Sequence, residues 1–300
     1  MRVLVTGANG FIGRAVLREL DARGVEAWAV ARGPFTVPGR TELRVVQNPS
    51  SLAAMSALMD STRPTCIIHL AGIAGTVSLT EMYEANVVYA ANLLQAAAVH
   101  DRPRVVVSGS AAEYGRIADD AGRVAEDWPC RPESAYGVSK LAQTLHATCA
   151  CPRGLNVTVA RLFNPVGEGM PERLALGGFA RRIRDAAHGG VLETGALDVV
   201  RDFVDVRDVA RILVDVAGRS DLSGQVINLC SGVGLQLGDL TRRLIEVSGK
   251  HLTLKQDEQR AGNSSSRVFV GDPSRLEQAG LKPPPLEVDE VLRRIMYFPQ

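Results

Sequence analysis

Tyr136 and Lys140 are the residues whose types and spacing most clearly predict chemistry. They stand four positions apart in the segment Tyr136-Gly-Val-Ser-Lys140, and in a helix such positions lie on one face. A lysine ammonium beside a phenol favours the phenolate and lowers a tyrosine pKa from its usual value of about 10. A tyrosine in that setting can donate and accept a proton near neutral pH, so the pair predicts general acid/base catalysis. The alternative is an ordinary amphipathic surface helix.

Ser110 follows the fifth predicted strand, in Val-Val-Ser-Gly-Ser-Ala-Ala-Glu-Tyr-Gly, and Ser108 is the last residue of that strand. Active sites of open parallel sheets form beyond the carboxyl ends of the strands. The hydroxyl of Ser110 could therefore hydrogen-bond a substrate oxygen as charge develops on it. Ser108 is the competing choice, and a serine at a strand end is often only a loop cap. Asn86, midway along a predicted helix, could hold a helix carbonyl and a water for proton relay, although a cap or a surface polar residue is the simpler interpretation.

Residues 6–13 read TGANGFIG and predict a nucleotide-binding turn. The three glycines follow a strand directly and open a helix, where backbone N–H groups and the positive helix end suit a diphosphate. Glycine permits both the sharp turn and the close approach of phosphate to backbone. The predicted cofactor contacts are Gly7, Gly10, Phe11, Ile12 and Gly13. A tight structural turn without a ligand is the alternative.

Arg32 follows the second predicted strand, where an NAD site usually places an acid to hold both ribose hydroxyls. An acid is missing here, so a 2′-phosphate would meet no repulsion and Arg32 could pair with it. The residue therefore favours NADP(H) as the cofactor, with NAD(H) possible. A solvated surface arginine is the alternative.

The elements that must position these residues alternate through the first half of the chain. Apolar runs predict strands at 3–5, 25–31, 43–47, 66–70, 104–108 and 156–162. Amphipathic patterns predict helices at 11–22, 52–59, 80–99 and 135–149. Such alternation predicts an α/β fold, a doubly wound parallel sheet of the Rossmann type with helices on both faces.

The second half is less regular and predicts a smaller α/β C-terminal lobe that binds substrate. Predicted helices are 174–187, 206–217, 237–247 and 286–295, with a strand at 226–229 and a loop at 165–173. The predicted dinucleotide-binding domain is 1–163, with 201–232 returning to it. The predicted substrate lobe is 164–200 together with 233–300.

Composition excludes several function classes. A chain of 300 residues with 46% hydrophobic and 22% charged residues is an ordinary globular protein, long enough for a sizeable core. Its 34 basic and 33 acidic residues give a net charge of +1, which predicts neither nucleic-acid nor membrane-surface binding. Five cysteines without metal spacing, no signal peptide and no uncharged run of roughly 18 residues predict a cytoplasmic protein with reduced thiols and no metal.

Together TGANGFIG, Ser110 and the Tyr136/Lys140 segment resemble the extended short-chain dehydrogenase/reductase family over nearly the whole chain. Further matching segments are HLAG at 69–72, RLFNPVGEG at 161–169, RDFVDVRDVA at 201–210 and INLCSG at 227–232. The last segments are most similar to the nucleotide-sugar branch, and within it to reductases of GDP-4-keto-6-deoxy-mannose.

The resemblance implies roles for individual residues. Tyr136 would be the acid/base, Lys140 its partner and a ligand of the nicotinamide ribose, and Ser110 the donor to the substrate oxygen. Leu70 and Ala71, in HLAG, would line the cofactor. Asn164 and Arg201 would hold the diphosphate of the sugar nucleotide, although an ion pair of Arg201 with Asp202 or Asp205 is an alternative.

Departures from the family pattern bear on the reaction. Ala111 and Ala112 stand where the 4,6-dehydratases carry an acidic pair, and Ala112 stands where fucose synthases carry a cysteine base. The segment that should contact the nucleotide reads Gly-Asn-Ser at 262–264, with Arg260 or Arg267 as possible substitutes. The base and the exact sugar therefore stay open.

Three functions remain. The leading interpretation is an NAD(P)H-dependent reductase of the C4 keto group of a nucleoside-diphosphate 4-keto-6-deoxy-sugar. The alternative enzyme is an NAD-dependent 4-epimerase of a nucleotide sugar, which the missing acid near Arg32 disfavours mildly. A redox-sensing binder without turnover is the third, and an intact Ser/Tyr/Lys set argues against it. The alanine-rich helices at 80–99 and 135–149 predict a homodimer through a four-helix bundle, which the resemblance also implies.

Overall fold

The computed structural model describes residues 1–257 and 266–298. The chain forms two compact units. The first consists of Met1–Gly115, Pro129–Leu162 and Val209–Leu229, and the second of Arg116–Trp128, Phe163–Asp208 and the described residues from Cys230 onward. The assignment of separate cofactor-binding and substrate-binding parts remains a prediction.

Thirteen strands occur among the described residues. They are β1 Arg2–Thr6, β2 Glu26–Ala31, β3 Thr41–Val45, β4 Cys66–His69, β5 Arg104–Ser110, β6 Val157–Leu162, β7 Asn164–Val166, β8 Val191–Thr194, β9 Val200–Asp205, β10 Val226–Leu229, β11 Gly234–Gln236, β12 Thr253–Gln256 and β13 Val268–Phe269.

Ten α-helices occur in the same part of the chain. They are α1 Phe11–Ala22, α2 Leu52–Thr62, α3 Leu79–Tyr83, α4 Tyr89–Val99, α5 Ala135–Ala150, α6 Ala175–Asp185, α7 Val206–Ala217, α8 Leu237–Ser248, α9 Ser274–Gln278 and α10 Val288–Tyr297.

The first unit is built on a seven-stranded sheet in the order β10-β6-β5-β4-β1-β2-β3, with every pairing parallel. β4 and β6 are buried along their whole length because helices cover both faces of the sheet. The order reverses at β1, and ligands of such sheets bind beyond the carboxyl ends at that reversal. The predicted doubly wound parallel sheet is confirmed.

The second unit has β9 at its centre, paired with β7, β11 and β13, and a separate parallel pair of β8 and β12. None of these six strands was predicted. β9 reads VRDFVD, and its three charged side chains interrupt the apolar pattern that marks a strand. The predicted loop at 165–173 begins with two residues of β7, which is too short to show a period of two.

The predicted helix at 80–99 is wrong as a continuous α-helix. α3 is followed by one π-helical turn, Glu84–Val88, before α4 begins. A π-turn inserts one residue into the helical repeat without changing which residue types are apolar, so periodicity does not reveal it.

No helix within residues 1–257 or 266–298 is both long and apolar enough to cross a bilayer.

Candidate functional site

The glycine turn after β1 is packed so closely that side chains would not fit. Gly7 has φ +65°, and a Cβ there would lie 2.6 Å from the amide nitrogen of Ala71. A Cβ on Gly13 would lie 2.3 Å from the carbonyl oxygen of Gly7. Contacts this short are prohibitive, so both positions require glycine, and the turn rests against Leu70 and Ala71 at the end of β4.

The first turn of α1 has no side-chain cap. Gly10 is the N-cap residue, and its own N–H donates to the carbonyl of Gly7 at 2.9 Å. The amides of Phe11, Ile12 and Gly13 therefore begin the helix without an acceptor from a capping side chain, at its positive end. The turn fits the diphosphate of a nicotinamide dinucleotide, as the sequence predicts.

Thr6 and His69 join the glycine turn to the end of β4, and sequence reasoning gave neither a role. The Thr6 hydroxyl is hydrogen-bonded to Nδ1 of His69 at 2.7 Å, and the His69 ring meets the Tyr89 ring edge to face at 5.0 Å. Burial, together with the charge of Lys140, lowers the pKa of His69 to about 3, so the imidazole is neutral. The segment HLAG was the available signal, but it does not show that this histidine packs inward.

Arg32 lies directly after β2 and is exposed. Its side chain makes neither a hydrogen bond nor an ion pair with the residues that the structure describes. Arg14, also near the glycine turn, differs: its Nε donates to the Asn9 carbonyl at 3.1 Å, and its guanidinium lies 5.3 Å from the centre of the Phe35 ring. Of the two arginines, Arg32 is the one whose guanidinium has no hydrogen-bond partner among the described residues.

Ser110 ends β5 and caps the short 3₁₀ turn Ala111–Glu113. Its Oγ accepts from the amide of Ala112 at 3.2 Å, while its own amide donates to Oε1 of Glu113 at 2.7 Å. The described residues supply no acceptor for its hydroxyl hydrogen. Ser110 is half-buried, so this hydroxyl can still donate to a ligand.

α5 lies against this turn through Gly137. A Cβ on Gly137 would lie only 2.5 Å from the carbonyl oxygen of Ala112, so the helix and the turn touch through backbone. Tyr136 stands beside this contact in the first turn of α5, half-buried, and Lys140 is buried one turn later. The structure therefore brings Ser110, Tyr136 and Lys140 into one region at the carboxyl edge of the sheet.

Lys140 is held by two neutral acceptors. Its Nζ donates to the backbone carbonyl of Ser108 and to Oε1 of Gln143. Burial lowers the pKa of Lys140 to about 8, although the negative charge of Glu113 opposes the shift. Lys140 therefore stays mainly protonated at neutral pH but loses its proton more readily than an exposed lysine, which suits acid/base chemistry.

The side chains of Ser108 and Asn86 form hydrogen bonds with other residues of the protein. The buried Ser108 hydroxyl donates to the carbonyl of His69 at 3.1 Å, which leaves Ser110 as the serine available to substrate. Asn86 lies in the π-turn, fully buried. Its Oδ1 accepts from the amide of Ile73 at 2.7 Å, and its Nδ2 donates to Oγ of Ser139 at 2.9 Å. Asn86 is thus neither a cap nor a surface residue, and it ties the π-turn to α5.

A buried ion pair supports the turn after Ser110. Nε of Arg161 on β6 donates to Oε2 of Glu113 at 2.8 Å, and the Arg161 guanidinium also reaches the Tyr114 hydroxyl at 3.0 Å. Tyr114 in turn donates to Asn228 at 2.7 Å. Sequence reasoning missed this network because its members, the charged pair of Glu113 and Arg161 and the neutral pair of Tyr114 and Asn228, meet only after β5, β6 and β10 assemble.

Asn164 and Arg201 belong to the second unit. Nδ2 of Asn164 donates to the Asp202 carbonyl at 2.7 Å, and Arg201 donates to the backbone carbonyls of Val200 and Ser266 at 2.8 and 2.9 Å. The Asp202 carboxylate accepts from the amide of Ser231 at 2.8 Å rather than from Arg201.

The neighbouring part of the second unit is only partly described. Asp205, the other acid considered as a partner of Arg201, pairs with Arg294. Arg260 and residues 262–264 lie outside the described residues, and Arg267 lies 3.5 Å from an oxygen of Asp198.

The parallel sheet and its glycine turn define a nucleotide-binding α/β protein of the Rossmann class. Residues 3–230 match the model of the NAD dependent epimerase/dehydratase family. The chain is 29% identical over 304 residues to the GDP-6-deoxy-D-mannose reductase of Pseudomonas aeruginosa, covering 98% of this chain and 96% of the relative.

Two solved structures are similar over almost the whole chain. The structure of RMD from Pseudomonas aeruginosa complexed with NADPH has a TM-score of 0.80 and 27% identity, and covers 99% of this chain and 98% of that one. The Thermus thermophilus UDP-glucose 4-epimerase complexed with NAD has a TM-score of 0.86 and 26% identity, with the same coverage of 99% and 98%.

This chain therefore belongs to the NAD dependent epimerase/dehydratase family. It is an NAD(P)-dependent enzyme of the oxidoreductase type, and the resemblance to the extended short-chain dehydrogenase/reductase family is confirmed.

Proposed function

We propose that this enzyme reduces the C4 keto group of a nucleoside-diphosphate 4-keto-6-deoxy-sugar of the GDP-4-keto-6-deoxy-mannose type. The observation that carries the proposal is the contact of α5 with the turn after Ser110. It supports a site of Ser110, Tyr136 and Lys140 at the carboxyl edge of the sheet, the same edge that carries the glycine turn. The likeness to the Pseudomonas aeruginosa reductase over nearly the full length of both chains supports the substrate class.

The proposed cofactor site uses the glycine turn for the diphosphate, Leu70 and Ala71 beside it, and Lys140 for the nicotinamide ribose. When bound, the nicotinamide supplies a hydride to a carbonyl carbon. Ser110 donates a hydrogen bond to the carbonyl oxygen, and Tyr136 donates the proton that completes the alcohol. Lys140 favours the phenolate that Tyr136 becomes.

The second unit is proposed to hold the sugar nucleotide. Arg201 presents a planar set of donors, which suits the two negatively charged phosphates of a diphosphate. Asn164 offers an amide for the same group. The two positions are linked through neighbouring residues of β9, since Asn164 donates to the carbonyl that follows Arg201 in sequence.

NADP(H) is the proposed preference. Arg32 is exposed after β2, and the described residues give its guanidinium no partner. A 2′-phosphate carries roughly −1.5 to −2 charges near pH 7, so it would gain from that guanidinium. NADH would still bind, because the glycine turn contacts only what the two cofactors share.

The direct test supplies GDP-4-keto-6-deoxy-mannose with external NADPH and follows loss of the 340 nm absorbance. Oxidation that depends on the keto sugar, with a GDP-6-deoxyhexose as product, is the expected result. No oxidation of NADPH or NADH, with cofactor binding retained, would contradict the reductase and favour a binder without turnover.

A nucleotide-sugar 4-epimerase is the second candidate, favoured by the structural similarity to the Thermus thermophilus epimerase. Such an enzyme oxidises and then reduces C4 with one retained NAD. Purified protein that carries stoichiometric bound NAD, and that interconverts C4 epimers without added cofactor, would favour it over the reductase. The set of Ser110, Tyr136 and Lys140 serves either reaction.

A homodimer through α4 and α5 belongs to the same proposal. α5 exposes Val138 and Leu145, which are seven positions apart and so lie on one helical face. Val99, at the end of α4, is 73% exposed. Apolar side chains of this kind on adjacent helices support a bundle formed with a second copy of the chain.

A further inference from the structure

Gln143 is a buried polar residue that contacts Lys140 and has no role in the reaction proposed above. It lies three positions after Lys140 on α5 and is fully buried. Its side-chain oxygen accepts a hydrogen bond from the Lys140 ammonium. The contact lies within the first unit, beside the carboxyl end of β5.

The described hydrogen bonds of Lys140 leave one N–H donor of its ammonium without an acceptor. An ammonium has three N–H donors and no acceptor. Two of the donors are taken by the carbonyl of Ser108 and by Oε1 of Gln143. The described residues supply no acceptor for the third. Two fixed acceptors thus orient the remaining N–H, which is the one left for the phenol or for a ribose.

The amide of Gln143 can face Lys140 in only one way. Since lysine only donates, the oxygen must point to it and the NH₂ group must point away. That NH₂ is buried and has no hydrogen-bond partner among the described residues. An unpaired buried donor costs free energy that an apolar side chain of the same length would avoid. Packing alone therefore does not explain a glutamine here, and the bond to Lys140 does.

The titratable groups nearest to Lys140 do not accept a hydrogen bond from it, whereas Gln143 does. Glu113, on the turn after β5, is engaged by Arg161 of β6, and His69 of β4 is neutral. α5 and the elements packed against it carry further titratable side chains, which include Arg104, Glu81, Glu84, Cys66, Tyr83, Tyr89, Tyr114, Tyr136, His146 and Cys149. None of them accepts a hydrogen bond from Lys140, whose described acceptors are Ser108 and Gln143. Gln143 thus offers an acceptor without adding a negative charge.

We propose that Gln143 is a positioning residue: it orients the Lys140 ammonium and, as a neutral acceptor, sets how readily that ammonium loses its proton. The inference rests on the proposed role of Lys140 in holding the nicotinamide ribose and assisting Tyr136. A carboxylate at this position would stabilise the charged form of Lys140. An apolar side chain would destabilise it, because the ammonium would lose a hydrogen-bond acceptor.

The test compares Gln143→Met, which removes the acceptor at similar length, with Gln143→Glu, which makes it charged. Thr144→Val is the matched control, because Thr144 is the next residue on α5, is buried and has an unpaired hydroxyl. Binding of NADPH without sugar is followed by fluorescence from pH 6 to 10, and thermal melts establish folding. Lys140→Met shows which part of the pH profile belongs to Lys140.

The sign of each shift follows from charge. Cofactor affinity that depends on the ammonium is present below the Lys140 pKa and lost as pH rises through it. Gln143→Met should move that loss about one pH unit lower, because the charged form loses an acceptor. Gln143→Glu should move it about one to two units higher, because a carboxylate favours the ammonium. Thr144→Val should leave it in place.

Unchanged profiles in both Gln143 variants, or a profile that survives Lys140→Met, would overturn the proposal. If Gln143→Met does not fold, the pH profile of Gln143→Glu alone tests the proposal, because glutamate is nearly isosteric with glutamine. Because binding is measured without sugar, a chain that fails to reduce the keto sugar would contradict the proposed function alone. Where turnover is present, the kcat profile should shift in the same directions.

Discussion

At the scale of single residues, the proposed chemistry depends on the phenol of Tyr136. Tyr136→Phe keeps the ring and its packing and removes only the transferable proton. We expect turnover to fall by about 10²- to 10⁴-fold, the range for a lost general acid, while the affinity for NADPH stays near that of the wild type. Steady-state rates and a fluorescence titration measure the two effects. Tyr83→Phe, at a partly exposed tyrosine of α3, is the control. A near-normal rate in Tyr136→Phe would contradict the role of Tyr136 as the general acid.

The proposed role of Arg32 in cofactor preference is tested at the same scale. A charge-assisted hydrogen bond contributes about 1.5–3 kcal/mol, and exposure to solvent reduces it toward the low end. Arg32→Ala should therefore raise the KM for NADPH about tenfold and leave the KM for NADH nearly unchanged. Added salt should weaken NADPH binding more than NADH binding.

The control for Arg32 is Arg153→Ala, an exposed arginine after α5 at the opposite end of the strands. It should change neither KM. An equal effect of Arg32→Ala on both cofactors, or a wild-type preference for NADH, would show that Arg32 is only a surface residue and would strengthen the epimerase alternative.

At the scale of elements, the approach of α5 to the turn after Ser110 is set by Gly137. Alanine in a helix is favoured over glycine by about 1 kcal/mol, but here its Cβ would lie 2.5 Å from the Ala112 carbonyl. Overpacking costs about 1–3 kcal/mol, so the clash should outweigh the helix preference. We expect Gly137→Ala to lower the free energy of unfolding and to lower kcat, because the spacing of Ser110 and Tyr136 changes.

Denaturant melts and kcat measure this prediction. Cys149→Ala, an exposed position on the same helix, should leave both unchanged. If Gly137→Ala is more stable than the wild type, the contact between helix and turn is looser than described and does not position the site.

At the scale of the whole molecule, the exposed apolar face of α5 predicts association with a second copy. Leu145 is 55% exposed, which leaves a large apolar side chain in water unless another chain covers it. Leu145→Glu should convert a dimer to a monomer, as measured by sedimentation. Val233→Glu, at a valine of the second unit that is 51% exposed, should not change the oligomeric state. A wild-type monomer would contradict the homodimer.

The parallel sheet and the glycine turn could be predicted from local pattern, and so could the position of Tyr136 and Lys140 one turn apart on the same helix. Buried strands are apolar in sequence, a glycine turn is contiguous, and positions i and i+4 share a helical face whatever the helix packs against. Each of these signals lies within a few neighbouring residues. The same reasoning favoured Ser110 over Ser108, and the bond from Ser108 to the His69 carbonyl supports that choice.

Tertiary structure alone decided what holds these residues in place. His69 meets Thr6 across 63 positions, Arg161 meets Glu113 across 48, and Asn86 meets Ser139 across 53. The charge of Arg161 could have belonged to a surface residue, and the π-turn at Asn86 leaves the helical pattern unchanged. Strand β9 was missed because its charged side chains find partners only in the folded unit. Burying a polar side chain costs free energy unless a hydrogen-bonding partner is buried with it. In these pairs the partner is distant in sequence, and only folding brings it near.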